Sequence, residues 1–175
     1  MTRLLAAIAI ICSIGATVSA QDTAGSWKPT FTSRHMGWDV TCDAKTTGDL
    51  QEERCYIRYI DAYSPRPNFG VLFMFIEIKG GIPAVSLGRE FETDLVATTL
   101  RVRPGWMRPE GLCAGGACSF TGATAVALID AMRSGGTLET GFVDATGSEQ
   151  LRQWASDGFD AAFTDLKREA AARGL

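Results

Sequence analysis

One histidine, His35, and one asparagine, Asn68, are all that this 175-residue chain has of either. Asn68 is followed by Phe69-Gly70, which excludes an N-glycosylation sequon. A Ser-His-acid catalytic set would have to recruit His35, and no Gly-x-Ser-x-Gly elbow is present to carry the nucleophile. His35 therefore reads as a surface histidine in a polar segment. Glycine-rich phosphate loops are missing too, and nothing repeats internally. Charge of one sign is also scarce, with 17 Lys and Arg against 20 Asp and Glu and a formal net charge of -3. Such mild acidity gives no electrostatic reason to bind nucleic acid or anionic lipid. No cofactor, no metal and no catalytic residue is expected.

What is there begins with a leader. Arg3 precedes an apolar run from Leu4 to Val18, and Val18-Ser19-Ala20 closes it with small residues, the layout of a secretory signal peptide. The run is broken by Ser13, Gly15 and Thr17 and falls short of the roughly 20 apolar residues that a membrane span needs. Residues 1–20 are read as a signal peptide cleaved after Ala20, which places the protein in the periplasm or outside the cell with no integral membrane segment in the mature chain. Loss of Arg3 takes the mature charge to -4.

Four cysteines remain: Cys42, Cys55, Cys113 and Cys118. An even count in an exported domain points to disulfides, with three possible connectivities. Cys42 with Cys55 and Cys113 with Cys118 is favoured, since each pair flanks a turn-like stretch. The Cys113–Cys118 interval, Ala114-Gly115-Gly116-Ala117, is too long for thioredoxin-type redox chemistry, which places two residues between its cysteines at a helix start. A zinc site would need Cys42, Cys55 or His35 as further ligands, against competition from disulfide formation. A staple across a tight turn fits best.

Patterning predicts the rest. Residues 21–36 form a flexible lead-in, and 37–175 a single β-rich domain. Trp38 to Cys42 alternates apolar with polar, Arg54 to Ile60 resumes an extended pattern, and Phe69 to Ile78 is apolar on both faces, as in a central strand. Ile82 to Leu87, Leu95 to Arg103, Ala117 to Thr121 and Thr137 to Val143 are further strand candidates. Ala125, Val126, Leu128, Ile129 and Met132 mark one helix, ended at Gly135. Phe159, Ala162, Phe163, Leu166 and Ala170 mark a C-terminal one, capped by Ser156 or Asp157. The fold class is mainly β: a disulfide-stapled antiparallel β-sandwich with one internal helix and a C-terminal helix.

One cluster has the composition of an interface: Arg101, Arg103, Trp106 and Arg108 around the Pro104-Gly105 turn. The competing reading is a strand edge kept soluble by arginine. Carboxylates for glycoside hydrolysis could be drawn from Glu77, Glu90, Glu92, Glu110 or Glu139, but spacing alone brings no two of them together.

The order Trp38-x-Val40-x-Cys42, Cys55, Gly111-x-Cys113 with Cys118, the Leu128 to Gly135 segment and Gly158-Phe159-x-x-Ala162 resembles the invasion-associated locus B family, small exported proteins of alphaproteobacteria. The resemblance spans roughly Gly37 to Phe163. It implies a periplasmic, envelope-associated or secreted β-rich protein, linked in pathogenic members to host-cell entry, and carries no catalytic residues. The expectation is a non-enzymatic envelope or secreted protein whose surface binds an envelope or host protein, or a glycan. The alternatives are an exported carboxylate-dependent hydrolase of cell-wall glycans and a hydrolase inhibitor presenting Pro104 to Pro109.

Overall fold

The computed structural model describes residues 25–63, 70–90, 97–103, 112–114, 117–143, 147 and 149–175, with backbone alone for 63, 70, 89–90, 97–103, 112–114, 142–143 and 150. The expected leader, Trp106, Arg108 and the Pro104-Gly105 turn lie outside the described residues. Among the described residues, no helix is long and apolar enough to cross a membrane.

Strands β1 (Lys28–His35), β2 (Trp38–Thr47), β3 (Leu50–Tyr63), β4 (Gly70–Lys79) and β5 (Ile82–Glu90) run as an antiparallel meander. Two-residue turns join β2 to β3 and β4 to β5. Gly80 and Gly81 both take positive φ in the second, the primed hairpin geometry that matches strand twist. The chain then leaves for β6 (Ala97–Arg103) and returns as the β7 (Leu112–Ala114) and β8 (Ala117–Thr121) hairpin. Helix α1 (Gly122–Arg133), strands β9 (Thr137–Val143) and β10 (Glu149–Trp154) and helix α2 (Phe159–Ala172) complete it. A seven-stranded sheet has the order β1-β2-β3-β4-β5-β8-β7, and a three-stranded sheet the order β10-β9-β6.

The fold is mainly β and antiparallel with one internal and one C-terminal helix, as the patterning predicts. Both helices and the small sheet share the inner face of the large sheet. On that face stand Trp38, Val40, Cys42, Ile57, Met74, Ile76, Val85 and Leu87, all sealed from water and covered by the apolar stripes of α1 and α2. The predicted helical faces are the ones buried: Ala125, Leu128, Ile129 and Met132 on α1, and Phe159, Ala162, Phe163, Leu166 and Ala170 on α2. Val126, included in the predicted stripe, is 43% exposed because it sits off the α1 contact line. At the end of α1, Gly135 and Gly136 donate back to the Met132 and Ala131 carbonyls, closing a Schellman motif.

Rings chain the layers together. Trp38 meets Phe159 of α2 and Tyr59 of β3 edge-on, each at 4.8 Å between centroids, and Tyr59 meets Trp154 of β10 at 5.2 Å. Such pairs are worth about 0.5–1.5 kcal/mol each beyond the area they bury. The Trp38 indole N–H is satisfied by the Ala155 carbonyl at 3.1 Å.

Cys42 and Cys55 face each other in register across β2 and β3 and form the expected disulfide inside the core. Closing a loop of this size stabilises by about 3 kcal/mol in the chain-entropy account. Cys118 is also disulfide-bonded, and Cys113 lies opposite it in the β7–β8 ladder.

The lead-in needs correction. Lys28–His35 is a strand, paired along β2 with a register shift between Pro29 and Phe31. As the edge of the sheet it buries little, so its composition looks like that of a loop. The cap of α2 differs as well. Neither Ser156 nor Asp157 but Gly158 occupies the N-cap, at φ +81°. A Cβ there would lie 2.7 Å from the His35 carbonyl oxygen, so the start of α2 closes directly onto the end of β1. Strand β10 was not foreseen either, because only Trp154 in its Glu149–Trp154 run is an obvious core residue.

Candidate functional site

Alternation sends every second residue of β1, β2, β3 and β4 to the face away from the helices. Along one row of that outer face, Arg34 pairs with Asp39, Asp39 with Arg58, and Arg58 with Phe75 in register. Arg34 donates to both carboxylate oxygens of Asp39, from Nε at 2.6 Å and Nη2 at 3.1 Å. Arg58 Nη2 approaches the same carboxylate at 3.6 Å, and Arg58 Nε is buried without a hydrogen-bond partner. The Arg34 hydrogen bond holds the Asp39 carboxyl below its ordinary range, and Arg34 is raised in turn. Thr32, Thr41 and these three residues line an open cleft of about 380 Å³.

A second charged group stands beside it. Asp43, buried to 5%, accepts from Arg54 at 3.2 Å and from the Tyr56 hydroxyl at 3.0 Å. Burial, then the Asp43 hydrogen bond, raises the Tyr56 phenol. Arg54 also lies over the Trp27 ring at 4.1 Å, a cation–π contact that roofs this pair. Tyr56 in turn packs edge-on against Phe75 at 5.7 Å, and Phe75 against Phe73 at 5.8 Å. The outer face is thus a cationic cleft continuing into a strip of half-buried rings.

His35 is not the loose surface residue that the sequence reading makes it. With Ser33 it points to the inner side, where α2 passes. Its Nε2 meets Asp165 Oδ2 at 2.7 Å, Ser33 Oγ donates to the same oxygen at 3.0 Å, and Arg168 reaches Oδ1 at 2.6 Å. The His35 hydrogen bond is the main reason the Asp165 carboxyl is lowered. This trio of Ser, His and Asp is not a proton relay: serine and carboxylate approach the same ring nitrogen, 3.3 and 2.7 Å away, whereas a relay needs them on opposite nitrogens. The cluster ties the edge strand to the last helix.

The expected interface residues are placed only in part. Arg101 and Arg103 lie on β6 opposite Glu139 and Thr137 of β9, on the small sheet and far along the chain from the outer-face cleft. Of the glutamates weighed for hydrolysis, Glu77 pairs with Lys79 at 3.0 Å on the large sheet, while Glu139 is buried in the small sheet and accepts from Gln153 at 2.9 Å. These two stand on different sheets; Glu90 is described by its backbone alone, and Glu92 and Glu110 lie outside the described residues. The outer-face residues Arg34, Asp39, Arg54 and Arg58 were missed, although the alternation of charge with Trp38, Val40 and Cys42 was visible in the sequence.

No family model and no curated protein matches the sequence. Among solved structures, the chain is similar to the crystal structure of invasion associated protein B from Bartonella henselae, with a TM-score of 0.56 and 16% identity over 81% of this chain and 99% of that one. The cysteine, tryptophan and glycine pattern and the three-dimensional comparison thus agree: this chain has the fold of an invasion associated protein B.

Proposed function

We propose that this protein is an exported, non-enzymatic binding protein that works in the bacterial envelope or after secretion, through the outer face of its large sheet. The observation that carries this reading is the ordered array of Arg34, Arg54 and Arg58, with 75%, 45% and 38% of their side chains exposed, on the sheet face opposite the core. Arginine beside aromatic rings is the composition that binding surfaces enrich. Export is supported by the core disulfide, since such bonds persist in oxidising compartments and rarely in the cytosol. The B. henselae neighbour is named for invasion, and a host-cell surface or an envelope component is the proposed partner.

The test joins both halves. The full chain with a C-terminal tag is expressed in a Gram-negative host, fractionated, and weighed with and without reductant. Recovery outside the cytosol with the leader gone and the cysteines oxidised is expected. The purified mature protein is then labelled and offered to envelope preparations and host cells beside an Arg34→Glu, Arg58→Glu variant. Loss of binding in the variant is expected, and equal binding by both, or a cytosolic reduced protein, overturns the proposal.

A further inference from the structure

We infer that the cleft between Arg34 and Arg58 binds the sulfate or carboxylate group of an acidic glycan. The inference rests on the binding role just proposed for this face and names its ligand class. Its basis is an imbalance of charge. Two guanidinium groups share one carboxylate, and they share it unequally: Arg34 takes both Asp39 oxygens at 2.6 and 3.1 Å, while Arg58 is left with a single contact of 3.6 Å from Nη2. Arg58, with 38% of its side chain exposed and only that long contact, is therefore the less engaged of the two cations. It lines a cleft of about 380 Å³ together with the threonines Thr32 and Thr41, whose side chains carry neutral hydrogen-bonding groups. A planar guanidinium presents paired donors that match an oxyanion's two oxygens.

Position decides what carries the oxyanion. Arg58 belongs to β3, two strands in from the β1 edge. An acidic peptide added to that edge as another strand would lie alongside β1 and leave Arg58 untouched. A ligand seated on Arg58 lies on the face itself, beside Phe75, the register partner of Arg58 on β4, with Phe73 two residues along the same strand. Ring faces beside a cation suit a sugar, which sets its C–H groups on the rings and its acidic substituent on the arginine.

The mature protein is titrated by calorimetry with dextran sulfate, polygalacturonate, neutral dextran and poly-glutamate. Binding of either acidic polysaccharide and none of neutral dextran is expected. Arg58→Gln should weaken it about tenfold, Arg58→Lys should restore only part because the paired donors are lost, and Lys167→Gln, which removes an equal charge from helix α2 on the other side of the sheet, should leave it unchanged. Far-ultraviolet circular dichroism confirms that each variant is folded. Equal loss in Arg58→Gln and Lys167→Gln overturns the site in favour of diffuse charge. Poly-glutamate binding as tightly through Arg58 overturns the glycan in favour of an acidic peptide. If no polysaccharide binds while labelled protein still binds cells through Arg58, the ligand class fails and the binding role stands; if both fail, so does the role.

Discussion

Trp38 and Asp39 are neighbours on β2, yet they belong to regions governed by different physics. The inner face holds Trp38, fully buried, touched by rings from α2 and β3 and satisfied at its indole N–H. The outer face holds Asp39 between two partly exposed arginines. Burial of apolar surface stabilises by about 25 cal/mol per Å², whereas ion pairs open to water are each worth about 0–1 kcal/mol. The fold should therefore depend on one face and the function on the other.

The strongest challenge to that division is Trp38→Ala, which should cost about 3–5 kcal/mol in urea unfolding, because it empties the centre of the ring cluster that joins both layers. Removing the core staple with Cys42→Ala and Cys55→Ala should cost about 3 kcal/mol by the same measurement, and reductant should have no further effect at this pair. Gly158→Ala comes next, at about 1–3 kcal/mol, since it places a methyl group against the His35 carbonyl at a backbone angle that disfavours side chains.

The Asp165 cluster sharpens the comparison, because it is polar yet lies on the inner side. With its folded-state carboxyl lowered, Asp165 contributes stability above the ordinary aspartate value of about 3.9 and loses it as pH falls through the lower folded value. Asp165→Asn should cost about 1–2 kcal/mol at neutral pH and flatten the fall of stability in acid, read from melting temperatures between pH 7 and pH 2. The smallest effect is expected on the outer face. Arg34→Ala should leave the urea unfolding midpoint almost unchanged, and a loss as large as that of Gly158→Ala would show that this face helps hold the fold.

Much of the architecture was legible because it is written in short-range periods. The stripe from Phe159 to Ala170, the strands Ala117–Thr121 and Thr137–Val143 and the Cys42–Cys55 crosslink all follow from spacing over a few residues or from neighbouring turns. The edge strands escaped for a common reason. Strand β1 has one neighbour and buries only alternate residues in part, so Phe31, Ser33 and His35 look like scattered loop residues. Strand β10 is likewise an edge, with Leu151 left 61% exposed. Of the candidate site, Arg58 and Asp39 were readable as outward-facing positions, but their meeting was not.

By itself the sequence determined the class of the molecule: mainly β, crosslinked, with two helices whose apolar faces need a sheet to cover. Hydrophobic periodicity and cysteine neighbours act over a few residues, and a reader of the chain can follow them. Tertiary structure alone decided that His35 meets Asp165 and that Arg34 and Arg58 share Asp39 across three strands. Those contacts join residues up to 130 positions apart, and their partners are selected by strand register and helix docking, which depend on the packing of the whole core.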